Sequence, residues 1–145
     1  MITIMEKTGW KLSQLSVGMS ASSTRTPTDN AVWAFADASG DHNLIHLDQS
    51  YAEKTPFKKC IVHGALLGSY MSALIGTELP GLGTVLVSLC LKFRGAVIIG
   101  TQVVTRVEIK SIDTRRSFVK LSCTSSAEGK TVVKGEALVM FLPQQ

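Results

Sequence analysis

The shortages of this chain are the first guide to it. Cysteine occurs three times, at Cys60, Cys90 and Cys123, with no Cys-x-x-Cys pair, and there are only three histidines. An odd number of widely spaced cysteines does not make a disulfide framework, and nothing here has zinc-ligand spacing, so no metal is expected. Cys90 and Cys123 read as small apolar residues inside strands. Apolar runs are short: those at residues 65–67 and 96–99 fall far below the roughly 20 residues that span a bilayer, so no membrane segment is expected. Residues 1–11 lack the apolar h-region of a secretory signal, which makes the cytoplasm the expected compartment. The net charge of +4 comes from scattered basic residues without interleaved aromatics, which argues against nucleic acid as a partner. A mild positive bias suits a phosphate-bearing small ligand as well as it suits an ordinary solvated surface. There is no internal repeat and no low-complexity linker.

What is present is a foldable single domain. The 145 residues are 45% hydrophobic, enough for a core without staples. Some strand is possible before residue 25. Thr28 or Asp29 can cap a helix that Ser39-Gly40 ends, with Trp33, Ala34 and Ala38 recurring at helical spacing. Residues 49–54 allow a short helix stopped before Pro56. Residues 65–75 carry no charge and are apolar nearly all round, the pattern of a helix buried on most sides. The second half changes period. Residues 84–93 place Val85, Val87, Leu89, Leu91 and Phe93 on one strand face, and strands follow at 97–109, with a break near Gly100, at 116–124 and at 131–141. Residues 127–130 form a hairpin turn between the last two. Short connections between successive strands predict an antiparallel sheet, and the expected architecture is α+β, a sheet wrapped around one central helix. A second subunit would cover what the sheet leaves bare.

Two stretches carry candidate chemistry. In Ser39-Gly40-Asp41-His42-Asn43-Leu44-Ile45-His46, the Asp41 and His46 side chains would lie about 140° apart on a helix and on opposite faces of a strand. Only a curled loop brings them together, and Ser39-Gly40 permits one. Together they could share acid and base duties near neutral pH. The same spacing also fits a plain turn, with Asp41 capping backbone N–H groups and His46 half-buried. In Ile61-Val62-His63-Gly64, the glycine opens the apolar helix. A helix N-terminus offers a free N–H and partial positive charge to a carbonyl oxygen that gains charge, though a glycine there can equally serve tight packing. His63 reads as a structural residue.

Taken together, residues 35–64 resemble the MaoC-like (R)-specific enoyl-CoA hydratases. The pattern is an aromatic residue, then Ser-Gly-Asp-x-Asn-Pro-aliphatic-His, then a small residue six positions on, here Ala52, followed by Val-His-Gly and a small-residue apolar helix. The similarity runs more loosely through Leu79-Pro80-Gly81-x-Gly83 and Leu91-x-Phe93, over roughly residues 25–142. It implies a hot-dog fold and a homodimer whose two sheets join into one. It implies Asp41 and His46 as the catalytic pair, the Gly64 N–H on the thioester carbonyl, and Asn43 and Ser72 as supporting residues. The pair would hold one water that adds to C3 of a trans-2-enoyl-CoA, with a proton delivered to C2, giving an (R)-3-hydroxyacyl-CoA. No cofactor is implied, since the substrate itself carries the CoA.

This chain departs from the family pattern twice. Leu44 stands where the motif has proline, and Phe93-Arg94-Gly95-Ala96-Val97 replaces Phe-x-x-Pro-Val. Other functions compatible with such a fold are an acyl-CoA thioesterase, a 3-hydroxyacyl dehydratase working on acyl-carrier protein, and a non-catalytic acyl-thioester-binding protein.

Overall fold

Four strands in the second half of the chain and one before residue 26 build a single five-stranded sheet. In the computed structural model, which describes residues 9–143, the strands are β1 (Ser20–Arg25), β2 (Thr84–Phe93), β3 (Val103–Asp113), β4 (Phe118–Ala127) and β5 (Lys130–Phe141). Their order is β1-β3-β4-β5-β2, with every neighbouring pair antiparallel. β3 buries Val103, Thr105, Val107 and Ile109, and β4 buries Val119, Leu121, Cys123, Ser125 and Ala127, each at every second position. The two hydroxyls among them face one another in register, Thr105 Oγ1 to Ser125 Oγ at 3.3 Å, so each buried polar group has a partner.

Against the inner face of this sheet lies α4 (Gly64–Thr77), packed chiefly on β3 and β2. Its Leu66, Leu67, Met71, Leu74 and Ile75 join the inward side chains of the strands in one core. The opposite side of the helix exposes only Ala65, Ser69, Ala73 and Thr77. The uncharged sequence of α4 thus has two unlike faces, large side chains inward and small ones outward, and the sheet covers it more fully than the sequence suggested. A sheet folded around one central helix is the hot-dog arrangement. No helix of the described residues is long and apolar enough to cross a membrane.

Among the described residues three α-helices precede α4: α1 (Asp29–Ser39), α2 (Leu44–Leu47) and α3 (Gln49–Ala52), after one 3-10 turn at Leu12–Gln14. Thr28 caps α1 by accepting from the Ala31 N–H at 3.2 Å, and Gly40, at φ 81°, ends it in the left-handed conformation. The inward stripe of α1 is Val32 and Ala36, with Phe35 beside them. Trp33, Ala34 and Ala38, whose recurrence marked the helix in the sequence, all face outward, Trp33 at 49% exposure.

Other details also differ from the sequence expectation. The strand expected at 97–109 begins only at Val103; residues 97–99 instead run alongside residues 60–62, through Val62 N–H to Val97 O at 2.8 Å, Ile99 N–H to Cys60 O at 3.2 Å and an isolated Ile61–Ile98 bridge. In β2 a bulge between Leu86 and Ser88 breaks the alternation, so the expected single face of Val85 to Phe93 does not hold. Cys123 is buried, and burial pushes its thiol up to about 11, with the Glu136 charge adding to the effect. Cys90 lies in β2 but is exposed, because it faces the outer side of the sheet with its partner Glu136, while Leu89 and Leu91 on either side pack on the core.

Candidate active site

The catalytic candidates sit where α1 ends, α2 begins and α4 starts. Gly40 turns the chain out of α1, and Ser39 links the two sides of that turn. Its hydroxyl donates to Phe35 O at 2.7 Å and accepts from the Asp41 N–H at 3.1 Å. The Asp41 carboxylate then accepts from the Asn43 N–H through Oδ1 at 3.2 Å, an Asx turn that fixes the carboxylate and leaves Oδ2 free. Asn43 in turn caps α2, its Oδ1 accepting from the Ile45 N–H at 3.2 Å. The sequence expectation of an irregular loop here is therefore only half right: residues 44–47 form one helical turn. That turn swings His46 back toward Asp41, and His46 Nε2 stands 4.0 Å from Asp41 Oδ2.

A second contact orients the imidazole. His46 Nδ1 lies 2.7 Å from the Ile61 carbonyl oxygen. A carbonyl only accepts, so Nδ1 carries the proton and Nε2 is the atom free to exchange protons in the site. His42, between the two, points elsewhere. Its Nε2 pairs with Asp37 at 3.0 Å, and that bond, helped by the Gly40 backbone, holds its pKa above the ordinary histidine value.

Beside His46 a cleft of about 370 Å³ runs between the start of α4 and the end of β2, lined by His46, Ile61, Val62, Gly64, Leu67, Phe93 and residues 95–97. Gly64 is the first residue of α4, where helix geometry supplies no internal acceptor for the N–H. A Cβ added at Gly64 would come within 2.9 Å of Cε1 of Phe93, so the glycine also lets this aromatic wall stand against the helix end. Ser72 does not line this cleft; it lies half-buried about 12 Å further along α4.

His63, which the sequence reading left as structural, is the unexpected member of the site. It is 1% exposed, bonds Asp41 O through Nε2 at 3.0 Å and stacks on His46 with ring centroids 3.9 Å apart. Only its adjacency to Gly64 in the motif could have drawn attention to it. Donor atoms of Asp41, His46 and His63 lie within 4.8 Å of one another. His46 Nδ1 and His63 Nε2 are held by backbone carbonyls, which leaves His46 Nε2 and His63 Nδ1 as the nitrogens with free lone pairs.

A carboxylate and an imidazole nitrogen thus stand 4.0 Å apart beside a helix N-terminus in a hot-dog fold, an arrangement able to do acid–base chemistry. The family model described as "MaoC like domain" matches residues 13–133, and the chain belongs to this family. It is 39% identical over 123 residues to an (R)-specific enoyl-CoA hydratase of Rhodospirillum rubrum, covering 85% of each chain. It is 39% identical over 125 residues to a 3-hydroxybutyryl-CoA dehydratase of Methylorubrum extorquens, covering 86% of this chain and 80% of that protein. The solved (R)-hydratase of Aeromonas caviae superposes with a TM-score of 0.86 at 36% identity, covering 90% of this chain and 98% of that one.

Proposed function

We propose that this protein is an (R)-specific enoyl-CoA hydratase that reversibly adds water to a trans-2-enoyl-CoA, with Asp41 and His46 as its reacting groups. The observation that carries the reading is the 4.0 Å gap between Asp41 Oδ2 and His46 Nε2. Two acceptors that each take one hydrogen of the same water, at about 2.8 Å, lie about 4.4 Å apart. The pair therefore has the spacing to hold a water by both hydrogens and leave its oxygen lone pairs for attack. As that oxygen bonds to C3, the pair takes one proton from it and returns one to C2. The proton count of the pair is thus unchanged over a turnover. Because Nδ1 stays on the Ile61 carbonyl, every proton that His46 handles passes through Nε2. Negative charge that grows on the thioester oxygen is met by the Gly64 N–H and the positive end of α4. Asn43 supports this arrangement by capping the turn that carries His46.

The experiment is hydration of trans-2-enoyl-CoA esters of increasing chain length, followed by loss of the conjugated enoyl absorbance and chiral analysis of the product. An (R)-3-hydroxyacyl-CoA without release of free thiol is the expected result. Thiol release with the double bond intact would replace the reading by a thioesterase, and faster turnover on acyl-carrier-protein esters would change the carrier.

The working unit we propose is a homodimer joined through β2. This edge strand leaves Val85 at 43%, Val87 at 50% and Phe93 at 54% exposure, an apolar edge that a folded chain does not leave unpaired in water. Light scattering should give twice the chain mass; a mass near 15.6 kDa at micromolar concentration would overturn the dimer.

A further inference from the structure

Three observations meet at His63. Its ring is 1% exposed, between Phe35, with centroids 5.0 Å apart, and His46 at 3.9 Å. Its Nε2 lies 3.0 Å from the backbone carbonyl of Asp41, 22 residues earlier in the chain. Its Nδ1 is buried with no partner among the described residues. A carbonyl only accepts, so the proton of this ring is on Nε2. A proton on Nδ1 would bury a donor with no acceptor. The ring thus has one defined tautomer and one defined orientation.

From this geometry we infer that His63 is a positioning residue for hydration: it holds the Asp41 backbone and the His46 ring in register with the Gly64 N–H. The inference deepens the proposed hydratase reading and rests on it. His63 touches both members of the pair and is covalently joined to Gly64. Asp41 otherwise sits on an exposed turn after Gly40, and among the described residues its other hydrogen bonds stay within residues 35–43, with His46 Nε2 4.0 Å from its Oδ2. The His63 bond is the contact that ties this turn to α4. Without it, the carboxylate and the helix end are free to drift relative to one another. Misplacement of reacting groups by about 1 Å costs on the order of 10² in rate.

The test compares His63→Gln with His63→Met, two side chains of similar size and shape. Glutamine can place an N–H near the former Nε2 position, and methionine cannot. His63→Met should lower kcat by about tenfold to a hundredfold while KM stays within about twofold, the mark of lost alignment rather than lost binding. His63→Gln should recover a large part of that loss. On an Asp41→Asn background, His63→Met should add little further loss, because the group it positions is already disabled. Equal kcat in the two variants, wild-type kcat in His63→Met, or a full additional loss on the Asp41→Asn background would each overturn the inference. Asp41→Asn alone tests the underlying pair. Turnover kept there overturns the hydratase pair and this inference with it, whereas turnover kept only in His63→Met overturns the positioning role and leaves the pair standing.

Discussion

In the sheet, β3 and β4 hold their place through rows of buried side chains, Val103 to Ile109 on one strand and Val119 to Ala127 on the other. Between residues 35 and 64 the geometry depends on separate hydrogen bonds: Ser39 to Asp41, Asp41 to Asn43, Asn43 to Ile45, His46 to Ile61 and His63 to Asp41. The first region is redundant, since each buried aliphatic side chain contributes roughly 1.5–3 kcal/mol and its neighbours share the load. The second is not, because each bond fixes a different atom and is worth only about 1 kcal/mol net. Stability and turnover should therefore come apart when the two regions are altered separately.

The largest effect expected is on chemistry. Asp41→Asn and His46→Gln should each lower turnover by on the order of 10²–10⁴; the melting temperature should change little for Asp41→Asn, whose side chain is half exposed, and fall further for His46→Gln, which loses a largely buried ring stacked on His63. Near-wild-type hydration in either folded variant would remove the catalytic pair. Next is the converse change: Leu121→Ala, at a position with no exposure, should cost about 2–5 kcal/mol in denaturant unfolding while the folded fraction keeps its kcat. A matching collapse of kcat would show that sheet and site are not separable.

Ser39→Ala lies between the two regions. It removes two hydrogen bonds at the α1 exit and should cost about 0.5–1.5 kcal/mol, with a severalfold fall in kcat as the Asp41 backbone loosens. A stability loss with kcat unchanged would mean that the turn keeps its path without Ser39. The smallest effect is expected at Leu44. It is the first residue of α2, is 49% exposed, and follows Asn43 at φ −57° and ψ 127°, a conformation that a residue before proline readily takes. Leu44→Pro should stabilise by roughly 0.4–1 kcal/mol with activity kept. A lower melting temperature with lost activity would show that the leucine side chain helps to hold the turn.

What could be read in the sequence divides along the same line. The Thr28 cap, the Gly40 stop, the turn at 127–130 and the alternation in β3 and β4 depend on neighbours a few residues away, and the sequence displays them directly. The Asp41–His46 pair became readable through its motif, because five residues of spacing alone fit a plain turn as well. Long-range contacts left no local trace. His63 meets Asp41 across 22 residues, and Phe93 meets Gly64 from another strand. The bulge at Val87 and the inward side of α1 are not legible for a related reason. Periodicity says which residues share a face but not which face meets the core, and in α1 the tertiary packing chose Val32 and Ala36 over Trp33.

The two-residue stretch Ile61-Val62 binds the site to the rest of the molecule on both sides. The Ile61 N–H donates to Ile45 O at 3.2 Å, its carbonyl accepts from His46 Nδ1, and the Val62 N–H donates to Val97 O. The turn that carries His46 is thereby fastened to the strand-like segment leading into β3. In amide hydrogen exchange, Ile61 and Val62 should belong to the slow class that opens only with the core, not with the fraying turns around them. The anchor beneath the catalytic turn then opens only as often as the core does, whatever faster motion the turn above it makes.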